Sequence, residues 1–160
     1  MIRAAALALL SLAILLLGCG DESEEAGIES TGGADPESVE VIESWSDSLR
    51  EGELVEAAKL FRVPSIVQNG TPPLDLDTER KVLLFNASLP CGAELTETEQ
   101  RDDYVIATFE LTERPGAGEC GTGVGVQART AFKIEDGLIV EWRRVPNAPG
   151  SEQAPAGQVI

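Results

Sequence analysis

The sequence contains no histidine, the residue that most often serves as a general base, a metal ligand or a pH switch. Cations are scarce too, because 12 Lys and Arg stand against 28 Asp and Glu, a formal net charge of −16. Such a surface repels nucleic-acid phosphates and anionic lipid headgroups. We therefore expect no nucleic-acid partner and no basic membrane-binding patch, and the sequence points to no cofactor and no metal site.

Aromatic residues make up only 4% of the chain, and all of them fall between Trp45 and Trp142. The 160 residues are enough for one domain. The aromatic span is therefore the predicted folded core.

The N-terminal stretch "MIRAAALALLSLAILLLG" has one cation, Arg3, followed by an apolar run to Leu17. The run is shorter than the about 20 residues that a membrane-spanning helix needs. A charged start, an apolar middle and a small residue before the cut are typical of a secretory signal. An ordinary signal peptide and an uncleaved anchor are the two simpler interpretations.

The residues "LLGC" at this junction resemble the lipobox of bacterial lipoproteins, although a smaller residue than Leu17 is usual at its position. The resemblance implies that Cys19 is lipidated and becomes the first residue of the mature protein. It implies a membrane partner through that lipid, and a location on the extracytoplasmic face of the cell membrane. Two or more acyl chains give stable anchoring, whereas one does not.

The sequence divides into four parts by composition. Residues 1–18 form the predicted signal peptide, and residues 19–36 the lipidated Cys and an acidic tether too poor in apolar residues to fold. Residues 37–146 form the predicted domain. Residues 147–160, rich in Pro, Gly and Ala without periodicity, are predicted to be a disordered tail.

Helical spacing of apolar residues predicts three helices in the first half of the domain. The first starts at Pro36, ends at Gly52, and places Val39, Ile42, Trp45 and Leu49 on one face. A shorter one carries Leu54, Val55, Ala58 and Phe61, and a third, capped by Asp77, turns Val82, Phe85 and Leu89 inward. Between them, "VPSIVQNG" is predicted as a short strand and "TPPLDLD" as a turn.

From Ala93 onward the apolar period changes to two, which predicts four strands at 93–101, 104–113, 124–134 and 138–145. The Asp-Gly pair in "EDGL" suits a tight hairpin between the last two. Helices followed by an antiparallel meander predict an α+β fold, with the N-terminal helices on one face of a curved antiparallel sheet.

Alternation on the middle strands separates an apolar face from a polar one. The apolar face carries Val105, Ala107, Phe109 and Leu111 on one strand and Val126, Ala128, Thr130 and Phe132 on the next. That face, which the helices should cover, has no carboxylate. Glu110 and Arg129 on the polar face are predicted as an exposed cross-strand pair.

The helix pair, the Pro-containing strand, the third helix and the closing hairpin "TAFKIEDGLIVEWRRV" resemble the NTF2-like (SnoaL-like, cystatin-like) superfamily over about residues 38–145. The resemblance implies a cone of helices and sheet around a pocket. Members include isomerases, dehydratases, epoxide hydrolases and domains without chemistry, so the fold alone licenses no function.

Cys91 and Cys120 are predicted to form a disulfide, because the start of one strand lies beside the end of its antiparallel neighbour. A redox pair or a metal site are the alternatives, and neither has the usual spacing. The intervening "GAGECG" matches the dinucleotide-binding pattern G-x-G-x-x-G. Strand-like residues follow it, so we interpret it as a loop.

Six residues are the predicted lining of a ligand site: Trp45, Phe85, Phe109, Thr130, Phe132 and Trp142. We identify no catalytic residue and favour a non-catalytic domain that binds a small apolar ligand or a protein. An enzyme is the first alternative, with Asp or Glu as base and Tyr104 as donor, where Glu141 would reach the pocket after a one-residue register shift.

The second alternative is an assembly role, with a homodimer formed through the outer face of the sheet. A second copy would then cover Ile106, Gln127 and Ala131. Asp102, Asp103 and Tyr104 cluster at one hairpin end, where a simple turn is the plainer interpretation.

Overall fold

The computed structural model describes residues 33–70, 72–116, 118–147 and 149. The predicted signal peptide, Cys19, the tether as far as residue 32, and residues 148 and 150–160 of the tail lie outside this part. The helices are α1 (Pro36–Glu51), α2 (Leu54–Lys59) and α3 (Glu79–Ser88). The strands are β1 (Phe61–Gln68), β2 (Leu74–Leu76), β3 (Gly92–Arg101), β4 (Tyr104–Thr112), β5 (Gln127–Glu135) and β6 (Leu138–Val145), and a 3₁₀ turn covers Gly121–Gly123.

The six strands form one sheet in the order β2-β1-β6-β5-β4-β3, with the helices packed on one side. This confirms the predicted α+β class. The pairing is antiparallel except between β1 and β6, which run parallel. The parallel pair was not predicted, because the sequence pattern of β1 does not reveal which neighbour it takes.

Helix α1 forms as its sequence predicts. The Asp35 side chain caps it by accepting a hydrogen bond from the Ser38 N–H at 2.8 Å, and this bond holds the pKa of the Asp35 carboxyl below its usual value. Pro36 suits the first helical turn, where no N–H is needed. Gly52 ends the helix with a φ of 80°, a left-handed conformation that favours glycine.

Helix α1 runs along the inner face of the sheet from one end to the other. Near its start, Glu37 Oε1 lies 3.9 Å from the position a Cβ on Gly137 would occupy, at the β5–β6 turn. Near its end, the Arg50 Cα lies 3.2 Å from the corresponding point on Gly92. A Cβ on Gly92 would also lie 2.7 Å from Thr112 Oγ1, so glycine permits this close approach of helix and strand.

Three local predictions were wrong at element boundaries. Phe61 begins β1 instead of ending α2, and Leu74–Leu76 pairs with β1 as the edge strand β2 where a turn was predicted. The cap of α3 is Thr78, whose side chain accepts from the Lys81 N–H at 3.3 Å. Asp77 instead pairs with the Lys81 ammonium at 2.9 Å.

An aromatic cluster fills the core around Trp45. Its ring makes edge-to-face contacts, at centroid distances of 5.4 to 6.5 Å, with Phe61, Phe109, Phe132 and Trp142. This is a favourable arrangement for aromatic pairs. The Trp45 indole N–H donates to Asn86 Oδ1 at 2.8 Å, and this buried bond connects α1 to α3.

The predicted division of the sheet into two faces is confirmed. Ala107, Phe109 and Phe132 face the helices and are at most 2% exposed. The predicted Glu110–Arg129 pair was wrong, because Glu110 lies opposite Gln127. Arg129 lies opposite Thr108 and pairs with Glu99 of β3 at 3.3 Å.

Candidate functional site

A cleft opens between the C-terminal half of α1 and the inner face of the sheet, and it encloses about 90 Å³. Five elements and two loops contribute to its wall. Its apolar part consists of Trp45, Leu49, Leu89, Pro90, Ala93, Phe109, Leu111, Ala128 and Trp142, with Cys91 beside them. An apolar wall of this kind is typical of a site for a small organic molecule.

The structure brings four of the six predicted lining residues together at this cleft: Trp45, Phe109, Thr130 and Trp142. Phe132 has no exposed surface and lies behind Trp45, with the ring centroids 5.4 Å apart. Phe85 borders a different groove, between α3 and β2. These two aromatics belong to the support of the cleft wall and not to its surface.

Three polar side chains also line the cleft: Asn69, Thr130 and Arg144. Arg144 lies directly opposite Thr130 in the β5–β6 pair, and Asn69 follows the end of β1. Within the described part of the chain, none of the three side chains has a hydrogen bond or an ion pair. Burial lowers the pKa of the Arg144 guanidinium, since removal from water disfavours its charged form.

Sequence reasoning missed Asn69 and Arg144. Arg144 had a usable signal, because it lies two residues after Trp142 on one strand and alternation puts both on the same face. Asn69 had no such signal, since it lies in a loop whose path depends on tertiary contacts.

The cleft wall contains one more unsatisfied donor and no acid. The Trp142 indole N–H is buried without a hydrogen-bond acceptor among the described residues. The cleft's described lining includes no Asp or Glu. The polar groups of the site are therefore the Trp142 N–H, the Thr130 hydroxyl, the Asn69 amide and the positively charged Arg144 guanidinium.

The Cys91–Cys120 disulfide predicted from the sequence is present, with the two Cα atoms 4.6 Å apart. Cys91 lies on the rim of the cleft. A Cβ on Gly123 would lie 3.0 Å from the Cys120 sulfur, so the 3₁₀ turn packs tightly on the bridge. The bridge thereby fixes the wall segment that follows α3 to the loop between β4 and β5.

The loop that matches G-x-G-x-x-G does not have the context of a dinucleotide site. The Glu113 carboxylate accepts hydrogen bonds from the N–H groups of Cys120 and Gly121, at 3.1 and 3.2 Å. These two N–H groups are therefore occupied within the chain. A 3₁₀ turn and strand β5 follow, where a dinucleotide site requires a helix.

The end of α3, which carries the cleft residue Leu89, is held by a buried arginine. Arg114 is 6% exposed, and its Nε donates to the Leu89 carbonyl at 2.9 Å. Its Nη2 donates to the carbonyls of Asn86 and Ala87 at 3.2 and 3.3 Å. The guanidinium thus satisfies carbonyls that a helix end leaves unpaired, although burial lowers its pKa.

Tyr104 and Glu141, the pair considered for an enzyme, meet on the outer face of the sheet. The Tyr104 hydroxyl donates to Glu141 Oε2 at 2.8 Å, and Arg143 Nε donates to the same oxygen at 2.7 Å. The hydrogen bond to Glu141 raises the pKa of Tyr104. Neither residue lines the cleft.

A β-bulge explains where Glu141 points. Lys133 lies opposite Glu141 while Ile134 lies opposite Ile139, so Val140 is an extra residue on β6. Ile139 and Trp142 both belong to the core. The two residues between them are therefore displaced to the outer side, where Glu141 meets Tyr104.

The rest of the outer face is covered largely by its own side chains. Ile106 and Ala131 lie opposite each other there and are each 6% exposed within a single chain. Gln127 is exposed. At the hairpin end, Asp103 pairs with Lys133 at 2.8 Å while Asp102 is exposed, so the acidic cluster there forms part of a surface turn.

Two further features concern the described residues only. No group of three Cys, Asp or Glu side chains is placed so that it would hold a metal ion. None of the three helices has the length and apolar character that crossing a membrane requires.

Comparison with known proteins gives the fold and no closer relationship. No protein-family model and no curated protein matches the chain. The solved structures similar to it include a protein of Sinorhizobium meliloti assigned as a polyketide cyclase, at 15% identity and a TM-score of 0.52, over 66% of this chain and 94% of the other.

Two more solved structures are similar to this chain in fold. An NTF2-like protein of unknown function from Cytophaga hutchinsonii has 8% identity and a TM-score of 0.53, over 67% of this chain and 87% of the other. A protein of ketosteroid isomerase-like fold from Catenulispora acidiphila, in complex with trimethylamine, has 10% identity and a TM-score of 0.51, over 67% and 85%. The domain therefore has the NTF2-like fold.

Proposed function

We propose that this chain is a lipid-anchored extracytoplasmic protein whose NTF2-like domain binds a small, largely apolar ligand in the cleft and does not transform it. One observation carries the proposal. The cleft combines an apolar wall with Asn69, Thr130 and Arg144, none of which has a side-chain partner in the described chain. Polar side chains that line an apolar cleft without a partner in the chain are available to orient a ligand. The buried Trp142 N–H on the same wall also lacks an acceptor among the described residues, and buried donors are normally paired.

The enzyme alternative has less support. General acid–base catalysis needs a titratable group within hydrogen-bond reach of the reacting atom. The cleft's described lining contains no carboxylate, and Tyr104 with Glu141 lies on the opposite face of the sheet. A structure of this fold has been determined with trimethylamine, which supports binding of small molecules by such domains.

The homodimer stays a prediction with little to favour it. Its motivation was that a second copy would cover Ile106 and Ala131. Both are already buried within one chain, so the sheet needs no partner for that purpose. A protein partner at the cleft is disfavoured by the small volume of the cleft, about 90 Å³.

Ligand binding can be followed through the two tryptophans of the chain, because both line the cleft. A cavity of about 150 Å³ in another protein holds benzene. The volume of this cleft is about 90 Å³, which favours ligands that have a short chain or a single small group. We expect short aliphatic amides and alcohols to change the tryptophan emission in a saturable manner.

The matched variants for this titration are Ala128→Leu and Gln127→Leu. Ala128 is 3% exposed on the cleft wall, and its neighbour Gln127 is exposed on the outer face. The added bulk at residue 128 should weaken binding at least about tenfold, a loss of about 1.4 kcal/mol of binding free energy, while the change at residue 127 leaves it unaltered. Equal binding by both variants, or no binding by the unmodified protein, would contradict the proposal.

The lipid anchor is supported by the "LLGC" residues and by the disulfide, since disulfides persist in oxidising compartments outside the cytoplasm. We expect the protein expressed in a bacterium to fractionate with membranes and to carry a diacylglyceryl group on Cys19 by mass spectrometry. The Cys19→Ser variant should not be lipidated and should not fractionate with membranes. A Cys19→Ser protein that reaches the same membrane fraction with the same processed N-terminus would refute the lipid anchor.

A further inference from the structure

We infer that the cleft selects organic acids: Arg144 binds the carboxylate of a small molecule whose short apolar chain lies against Trp45, Phe109 and Trp142. This inference rests on the proposed function, because it names the chemical class of the ligand of the same cleft. It goes further by assigning one residue to the recognition of charge.

Arg144 differs from the other described arginines in its lack of a partner. In a chain with 28 acidic residues, most arginines of the described part pair with a carboxylate. The pairs are Arg50–Asp47, Arg62–Glu135, Arg101–Glu99, Arg129–Glu99 and Arg143–Glu141. Arg114 is bound by carbonyls, and Arg80 is exposed to water. Arg144 alone is partly buried and has neither kind of partner among the described residues.

The partly buried Arg144 guanidinium loses part of its contact with water and gains no partner among the described residues in exchange. Removal of a charge from water is unfavourable unless an opposite charge or hydrogen bonds compensate for it. Carboxylates pair with five of the other arginines, yet no acid of the described residues pairs with Arg144. A carboxylate from outside would supply the missing partner, and a neutral ligand would not.

The arrangement around Arg144 suits a carboxylate in particular. The planar guanidinium presents paired donors that match the two oxygens of a carboxylate. Thr130, directly across the β5–β6 pair, adds a hydroxyl, and Asn69 adds an amide. A phosphate carries more charge, and Arg144 is the single cation in the described lining of the cleft. One cation and two neutral groups therefore fit a monoanion better.

The apolar wall fixes which way the acid lies. Trp142 is two residues from Arg144 on the same side of β6. The ring of Trp45 contacts the ring of Trp142, with the two centroids 6.3 Å apart. With the carboxylate on Arg144, a short chain extends along these rings toward Phe109. Loss of apolar surface to water is the driving force for this part of the ligand.

The test compares an acid with a neutral molecule of the same length. The full chain, solubilised in detergent, is titrated at pH 7 with butanoate and with butanamide. We expect butanoate to bind at least about tenfold more tightly, as a charge-assisted bidentate hydrogen bond implies. Tryptophan emission and the two indole N–H signals in the NMR spectrum report binding and confirm that each variant is folded.

Two adjacent arginines provide matched variants. Arg144→Met should weaken the binding of butanoate at least about tenfold more than that of butanamide and so abolish the preference, while Arg144→Lys should retain part of it. Arg143→Met removes the same charge from the outer face, where Arg143 pairs with Glu141, and should leave both affinities unchanged.

The possible outcomes distinguish the inference about Arg144 from the proposed function of the cleft. Equal affinities for acid and amide in the unmodified protein, or a preference that survives in Arg144→Met, would overturn the inference while the cleft remained a binding site. Binding of neither probe would overturn the inference and the proposed function together. Loss of the preference in Arg143→Met as well would assign it to overall charge and reject a role specific to Arg144.

Discussion

Replacement of Cys91 and Cys120 by serine is expected to lower the free energy of unfolding by about 3–4 kcal/mol. The bridge joins residues 29 apart in sequence. On the chain-entropy model, a cross-link over a loop of this length removes conformational entropy from the unfolded state and raises its free energy by about this much. For a single domain of ordinary stability, about 5–15 kcal/mol, this is a large fraction.

The measurement is urea unfolding of the unmodified and doubly substituted proteins under identical conditions. A reducing agent should shift the midpoint of the unmodified protein and leave the double variant unchanged, which separates loss of the bridge from loss of packing. Because Cys91 lies on the rim, we also expect weaker ligand binding by the double variant. Equal midpoints of the two proteins would show that the bridge adds no stability.

Arg114→Met is expected to destabilise the domain by about 3 kcal/mol. The substitution keeps most of the side-chain volume but leaves carbonyls at the end of α3, that of Leu89 among them, without their donor. A buried polar group that loses its partner costs about 1–3 kcal/mol. Relief from burying the guanidinium charge offsets part of this, since burial itself disfavours that charge.

The matched control for Arg114→Met is Arg80→Met, an exposed arginine in the first turn of the same helix. It removes one positive charge as well and should change stability by no more than about 0.5 kcal/mol. Arg114→Lys should recover only part of the loss, because one ammonium does not reproduce the planar fork. Similar unfolding midpoints for Arg114→Met and Arg80→Met would show that the carbonyl contacts contribute little.

Local signals predicted the fold because each acts within a few residues of the chain. Pro36 and Gly52 delimit α1, the Asp136–Gly137 turn sets the last hairpin, and period-two alternation assigned the faces of β4 and β5. Where tertiary pairing decides, the sequence was insufficient. Leu74–Leu76 becomes a strand only because β1 lies beside it, and nothing in β1 itself reveals its parallel neighbour β6.

Three aromatic residues of the cleft wall and one polar residue, Thr130, were predicted from the sequence, whereas Asn69 and Arg144 were not. Burial of large aromatics is a strong expectation, so Trp45, Phe109 and Trp142 were identified as lining residues from the sequence alone. Whether an aromatic reaches the cavity or supports it from behind depends on packing, which separates Phe109 from Phe132. Which arginines pair with an acid depends on tertiary contacts, so the lack of a partner at Arg144 among the described residues required the structure.

The course of α1 has a consequence for how the protein is oriented in its surroundings. The chain reaches the domain at the start of α1, beside the β5–β6 turn, whereas the cleft lies against the other half of that 16-residue helix. At 1.5 Å per residue the helix is about 24 Å long. If Cys19 holds the protein at the membrane, the attachment point and the opening lie at opposite ends of the domain. The β5–β6 turn, and not the cleft, is then the part of the domain that lies beside the attachment point.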